Sequence, residues 1–246
     1  VKEVVRLQLK KRARDESGLF VIEGYREHLR ALNNGVKIKS LIFCRDWFLK
    51  DNNEELISAM HKAGVELVVV SQSVFKKLSY RDRPDGFISI ATQPSVGLEN
   101  IKVDKKSIIL VVESVEKPGN LGTILRGCDA TGLAGIVLCD PVTDVFNPNV
   151  VRASTGALFS VPLTVCSSAE EVISWCKNKG IKIFSTTPHT DNIYWDADFG
   201  IAEPIAIVAG AEQYGLSKVW FDQSDHLVKL PMLGSADSLN IAVSSI

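Results

Sequence analysis

The sequence predicts an α/β protein in two parts, a small amino-terminal α/β domain and a larger carboxyl-terminal α/β domain built on a mostly parallel sheet. Three observations carry this. Short apolar, β-branched runs alternate with stretches of helical periodicity along the whole chain. The character changes near residues 93–106, where Pro94, Ser95 and Gly97 suit a linker. Glycine-rich turns come after the apolar runs of the second half, as when a buried strand feeds a ligand-binding loop.

In the first part a basic helix precedes GLFVIEGYREHLRAL, then come SLIFC, a helix over residues 53–63, ELVVV, a short helix and GFISIA. The second part reads IILVV (108–112), a helix over 121–131, GIVLC, the segment NPNVVRASTGALF, VPLTV, a helix over 169–179, IKIFSTT, IAIVA (205–209) and HLVKL. These boundaries give domains at 1–93 and 107–246 joined by 94–106. Ligands of such a sheet are expected beyond the strand carboxyl ends.

Three loops in the second part invite a shared site. After IILVV, Pro118, Gly119 and Gly122 break regular structure; Asn120 stands near a helix start, with Arg126 nearly two turns in. After IAIVA, Gly210, Ala211 and Gly215 leave room for backbone to approach a ligand, and Glu212 is the one charge of that turn. After a strand over residues 228–230, Pro231 ends the pairing, and Ser238 reads as the N-cap of a last helix beginning LNIAVSS.

The 246 residues are 46% hydrophobic and 23% charged, ordinary globular usage. No apolar run approaches the ~20 residues that span a bilayer, and none at the amino terminus has the core of a signal peptide. Five scattered cysteines, with no Cys-x-x-Cys pair, indicate neither a disulfide framework nor zinc, and a cytoplasmic, reducing location is expected, or an organelle interior if a targeting segment precedes Val1. The chain is expected to be trimmed at its start and inside its final helix. His28, His61, His189 and His226 lack metal-ligand spacing, so no metal is expected. The stretch GNLGTILRG has neither the Lys-Ser/Thr ending of a phosphate loop nor G-x-G-x-x-G spacing, which excludes nucleotide-triphosphate and dinucleotide chemistry. The net charge of −1 makes no argument for nucleic acid, but its distribution does. Lys2, Arg6, Lys10, Lys11, Arg12 and Arg14 form one basic cluster, and Lys76, Lys77, Arg81 and Arg83 another, candidates for phosphate contact.

The three loops together resemble the motifs of the SpoU (TrmH-type) ribose methyltransferases of the SPOUT superfamily. The first is carried by Pro118, Asn120, Gly122 and Arg126. The second is carried by Gly210, Glu212, Gly215, Leu216 and Ser217, and the third by Pro231, Met232, Gly234, Ser238, Leu239 and Asn240. The stretch around residues 20–32 also resembles the substrate-binding domain that precedes many such catalytic domains. The resemblance implies a carboxyl-terminal trefoil knot, a homodimer, S-adenosylmethionine as cofactor, and methylation of an RNA ribose 2′-hydroxyl, in ribosomal RNA by preference and in transfer RNA as the alternative. A fold that has lost catalysis and serves as an RNA-binding assembly factor is the rival reading, as is a SPOUT enzyme acting on a base. By the same resemblance Thr187, Gly210, Ala211, Leu230, Met232 and Leu239 hold the cofactor, while Arg126, Asn120, Glu212, Ser238 and Asn240 serve the reaction. Because guanidinium stays protonated at neutral pH, Arg126 is expected to stabilise the developing alkoxide, or to orient the target phosphate so that a phosphate oxygen relays the proton, rather than act as a base. Lys10, Lys11, Arg12, Arg14 and Arg152 are the expected RNA contacts.

Overall fold

A computed structural model describes residues 1–49, 53–200, 203–211, 213–235 and 238–245. The chain forms two compact units, one of residues 1–94 with 144–160, the other of residues 95–143 with 161–246. The segment NPNVVRASTGALF is therefore packed with the amino-terminal unit, although it lies in sequence between strands of the second sheet.

Unit 1 opens with α1 (Lys2–Leu9) and α2 (Lys11–Ser17), where a single basic helix was expected. The break at Lys10, which is extended at φ −121°, has a packing reason. At 100° per residue, Ala13 on a continuous helix would lie about half a turn away from Val4, whereas both are buried in the same apolar cluster. Gly18 then closes α2 in the left-handed region and the chain enters β1 (Leu19–Glu23). The rest of the unit's first stretch is α3 (Tyr25–Asn33), β2 (Ile38–Phe43), α4 (Asn53–Lys62), β3 (Glu66–Val69), α5 (Gln72–Leu78) and β4 (Phe87–Thr92). The strands form a mixed sheet in the order β1-β4-β2-β3, with only β2 and β3 parallel. Alternation along β2 sends Ile42 to the cluster with α1, α2 and α5, and Leu41 and Phe43 to the one with α4.

Unit 2 begins with residues 95–106, read as a linker but attached to this unit: Val165 N donates to the Val96 carbonyl (2.8 Å) and Ile101 is buried. Next come β5 (Ile108–Glu113), α6 (Pro118–Thr131) and β6 (Gly135–Cys139). The helix starts earlier than expected because Pro118 presets φ at its first position, so Asn120 lies inside the first turn rather than capping it. The segment α7 (Pro148–Ala153) belongs to unit 1, and unit 2 resumes with β7 (Leu163–Cys166), α8 (Ala169–Lys179), β8 (Lys182–Thr186), β9 (Ile205–Ala209), α9 (Lys218–Gln223), β10 (His226–Val228) and α10 (Ile241–Ser244). Six strands, all parallel, run in the order β10-β8-β9-β5-β6-β7. The chain crosses from one half of the sheet to the other between β5 and β9, so their carboxyl ends flank the crevice where such sheets take ligands.

Candidate active site

The loop after β9 owes its shape to glycine. A Cβ on Gly210 would stand 2.3 Å from the Gly215 carbonyl carbon and 2.5 Å from Leu216 N. The first use of that glycine is thus to let the loop fold onto itself, with close approach of a ligand secondary. Ala211 and Gly215 close the loop with reciprocal backbone bonds of 3.1 and 2.9 Å, and Gly215 sits at φ +67°. Glu113, at the end of β5, anchors the chain as it leaves this loop. Its buried carboxylate accepts from Ser217 N (2.7 Å), Ser217 Oγ (2.7 Å) and Trp220 Nε1 (3.0 Å), which fixes the start of α9. On the other side Thr187 N donates to the Val228 carbonyl (2.9 Å), joining the ends of β8 and β10.

These ends enclose a cavity of about 430 Å³, within the range that holds a small organic ligand. Thr187, Gly210, Ala211, Leu230, Met232 and Leu239, the six residues expected to hold a cofactor, all line it. Its walls include the apolar side chains of Leu216, Phe221, Leu230 and Ile241. Among the described residues, the backbone groups of Leu230 and Met232 make no backbone hydrogen bond, so donors and acceptors remain available at an otherwise apolar wall.

The residues expected to serve the reaction divide. Ser238 lines the cavity. It is not the cap of the last helix, because Asn240 takes that place: its Oδ1 accepts from Ala242 N at 3.0 Å. Asn240 also donates from Nδ2 to Asn120 Oδ1 at 3.4 Å, joining the first and third loops through α6 and α10. Arg126 is exposed, with Nη2 3.5 Å from Thr123 Oγ1, and forms no ion pair with a described residue. Neither Arg126, Asn120 nor Asn240 lines the cavity. Glu212 lies outside the described residues. Sequence reasoning missed Glu113, whose signal was a lone carboxylate ending an apolar strand. It also missed Tyr214 and Gln213, cavity residues that no pattern distinguishes from ordinary loop side chains. Cys128 is a packing residue: burial pushes its thiol up to about 12. Among the described residues no cluster of His, Cys, Asp or Glu is arranged to hold a metal, and no helix is long and apolar enough to cross a membrane.

The basic residues of unit 1 need one correction. Arg14 is no RNA contact: it is 2% exposed, with Nη2 2.5 Å from Asp144 Oδ2 and Nη1 donating to the Leu7 carbonyl. A guanidinium spent on a buried carboxylate is unavailable to phosphate. Lys10, Lys11 and Arg12 are exposed, the last two paired one turn on with Asp15 (2.7 Å) and Glu16 (2.6 Å). Arg81 of the second cluster is also engaged, 2.6 Å from Glu27. Arg152 is exposed on α7.

The sequence profile described as the SpoU rRNA Methylase family matches residues 107–246. The chain belongs to the SpoU family. Residues 1–89 of this SpoU chain match an MRM3-like substrate binding domain. Among its relatives is the 23S rRNA (uridine(2479)-2'-O)-methyltransferase of Streptomyces viridochromogenes, 29% identical over 93% of this chain and 80% of that protein. Another is the 23S rRNA (guanosine(2553)-2'-O)-methyltransferase RlmP of Bacillus subtilis, 28% identical over 100% and 92%. The crystal structure of an AdoMet-bound rRNA methyltransferase from Sinorhizobium meliloti superposes with a TM-score of 0.89 at 30% identity, over 99% of this chain and 90% of that one. An RNA 2'-O ribose methyltransferase structure reaches 0.83 at 38% identity, over 99% and 91%.

Proposed function

We propose that this SpoU chain binds S-adenosylmethionine in the cavity of unit 2 and transfers its methyl group to a ribose 2′-hydroxyl of ribosomal RNA. The observation that carries the reading is the meeting of Thr187, Gly210, Ala211, Leu230, Met232 and Leu239 around one cavity with unspent backbone groups. Its relatives named as 23S rRNA 2′-O-methyltransferases, and the neighbour solved with AdoMet, support it.

When bound, the cofactor supplies an electrophilic methyl on a sulfonium. The protein's part is positioning, since the attacking hydroxyl must lie in line with that methyl. Apolar Leu216, Leu230 and Ile241 would exclude water from the bound cofactor, and the free backbone groups of Leu230 and Met232 would hold its polar atoms. Asn120 and Asn240 hold the first and third loops in register. Arg126, permanently charged, steadies negative charge developing on the ribose oxygen or orients the adjoining phosphate so that one of its oxygens takes the proton.

The homodimer and the knot belong to the same proposal. Support for the dimer is the exposed apolar surface of the third loop and last helix, with Leu233, Leu239 and Val243 at 96%, 41% and 65% exposure. A cytoplasmic location is in keeping with five free, buried cysteines. The deciding experiment offers protein-free ribosomal RNA and transfer RNA with methyl-labelled S-adenosylmethionine, then maps the product by resistance to alkaline cleavage. Label at one ribosomal RNA ribose is expected. Label on transfer RNA alone, or on a base, would overturn the substrate, and no cofactor binding by calorimetry would overturn the enzyme.

A further inference from the structure

Unit 1 carries a second cavity, of about 610 Å³, on the side where α3, the turn before β4 and α7 meet. Four arginines line it, Arg26, Arg81, Arg83 and Arg152, against the carboxylates Glu27, Asp82 and Asp85. Two of those carboxylates are committed: Glu27 Oε1 lies 2.6 Å from Arg81 Nη2, and Asp85 Oδ2 accepts from Tyr25 N at 2.7 Å with Arg81 Nη1 3.9 Å away. Arg26, Arg83 and Arg152 are exposed and form no ion pair with a described residue. Only Asp82 is an exposed counter-charge in the cavity.

We propose that this arginine-lined cavity grips the phosphodiester backbone of the RNA substrate. Three guanidinium groups without a carboxylate partner among the described residues, set around one concavity, offer planar, multi-donor recognition of phosphate, which a solvated basic helix does not. By contrast, Lys11 and Arg12 of the amino-terminal basic run are each paired with a carboxylate one turn on, and Lys2, Arg6 and Lys10 of that run do not line this cavity. Thr155, at the cavity rim, is held at φ 50°, a conformation that a β-branched residue adopts only when its surroundings impose it, and its hydroxyl adds a donor. Because Arg152 comes from residues 144–160, the site is assembled from both ends of the unit's sequence.

The proposal rests on the RNA-methylating function, and the test separates the two. Full-length protein is titrated with in-vitro-transcribed 23S ribosomal RNA at several salt concentrations, as wild type, Arg83→Ala/Arg152→Ala, the triple variant with Arg26→Ala, and Lys62→Ala as an unrelated lost cation. The triple variant is expected to bind about tenfold or more weakly, with a log-log salt slope shallower by about two to three units, and with unchanged S-adenosylmethionine affinity. Lys62→Ala is expected to behave as wild type. Should the triple variant misfold by circular dichroism, the single variants each carry an expected slope change of about one. Wild-type affinity and slope in the variants would overturn the cavity while leaving the enzyme standing. A wild type that neither binds nor methylates RNA would overturn both.

Discussion

Glu113 shows how a single carboxylate can govern a loop it does not belong to. It spends both oxygens on three donors from Ser217 and Trp220, with no cation among the described residues paired to it. Glu113→Gln puts an amide donor against donors, and a buried donor left unmet costs about 1–3 kcal/mol. A lowered melting temperature and a raised KM for S-adenosylmethionine with kcat largely kept are therefore expected; an unchanged KM would show that the loop holds without it. Arg126 makes the opposite case, as an exposed side chain outside the cofactor cavity. Arg126→Ala is expected to leave cofactor affinity intact and lower single-turnover methylation by ~10²–10³, with little recovery in Arg126→Lys. Near-normal turnover in Arg126→Ala would refute its role. His28 is neutral in the fold: Nδ1 donates to the Gly24 carbonyl (2.6 Å) and Nε2 accepts from Ser89 Oγ (2.7 Å). Burial lowers its pKa from 6.5 to about 4, with Asp85 and Arg81 acting in opposite directions. The unfolded chain then binds the proton first, so this contribution is whole above about pH 6.5 and is lost as pH falls towards 4, a change of about 3 kcal/mol. Glu23 and Glu27, raised chiefly by burial, work with the opposite sign in acid. The measurement is accordingly the difference in melting temperature between wild type and His28→Gln from pH 7 to 4.5, which should shrink with acid; a constant difference would sink the assignment.

Elements divide into those the chain spells out and those set by neighbours. The apolar runs IILVV, GIVLC and IAIVA announce β5, β6 and β9, because strands buried on both faces must be apolar throughout. Helix starts were less legible. A proline took the first turn of α6, and Asn240 rather than Ser238 capped α10, since either polar residue satisfies the same orphan amides and only the chain path chooses between them. Six of the cavity residues were legible through their loops and the family resemblance, whereas Gln213, Tyr214 and the pairing of Arg14 were not. Nothing local to KKRARDES reveals a carboxylate 130 residues away. Glycines can be ranked the same way. Gly210→Ala drives a Cβ into the Gly215 and Leu216 backbone, so the loop must open, and cofactor affinity should fall about tenfold or more with a modest loss of stability. Gly234, at the third loop, has no described residue within 4 Å of its Cβ position, and Gly234→Ala should leave stability unchanged within about 0.5 kcal/mol. Equal tolerance at both positions, read by calorimetry, would show that the second loop does not shape the cavity.

At the scale of the whole molecule, the two units part between Pro94 and Ser95, within the stretch where a division was expected, and one further segment joins the first. Residues 144–160 leave the order of the second sheet and complete unit 1. Phe146 and Phe159 stand 5.0 and 6.0 Å from the fully buried Phe20, and Asp144 neutralises Arg14 with side-chain exposures of 10% and 3%. Removing either partner of such a pair leaves a buried charge uncompensated, at about 3–5 kcal/mol. Asp144→Ala should therefore destabilise the protein by that order in denaturant titration, although it touches no catalytic group. The same geometry bears on truncation. A fragment of residues 107–246, the whole stretch that matches the methylase family, would strip the Phe146 and Phe159 rings of their partner Phe20 and strand Asp144 without Arg14. Such a fragment is expected to be poorly soluble or to melt well below the full chain, unlike a domain cut at a true linker. A fragment as soluble and as stable as the intact protein would show that residues 144–160 contribute nothing to the fold beyond their own helix.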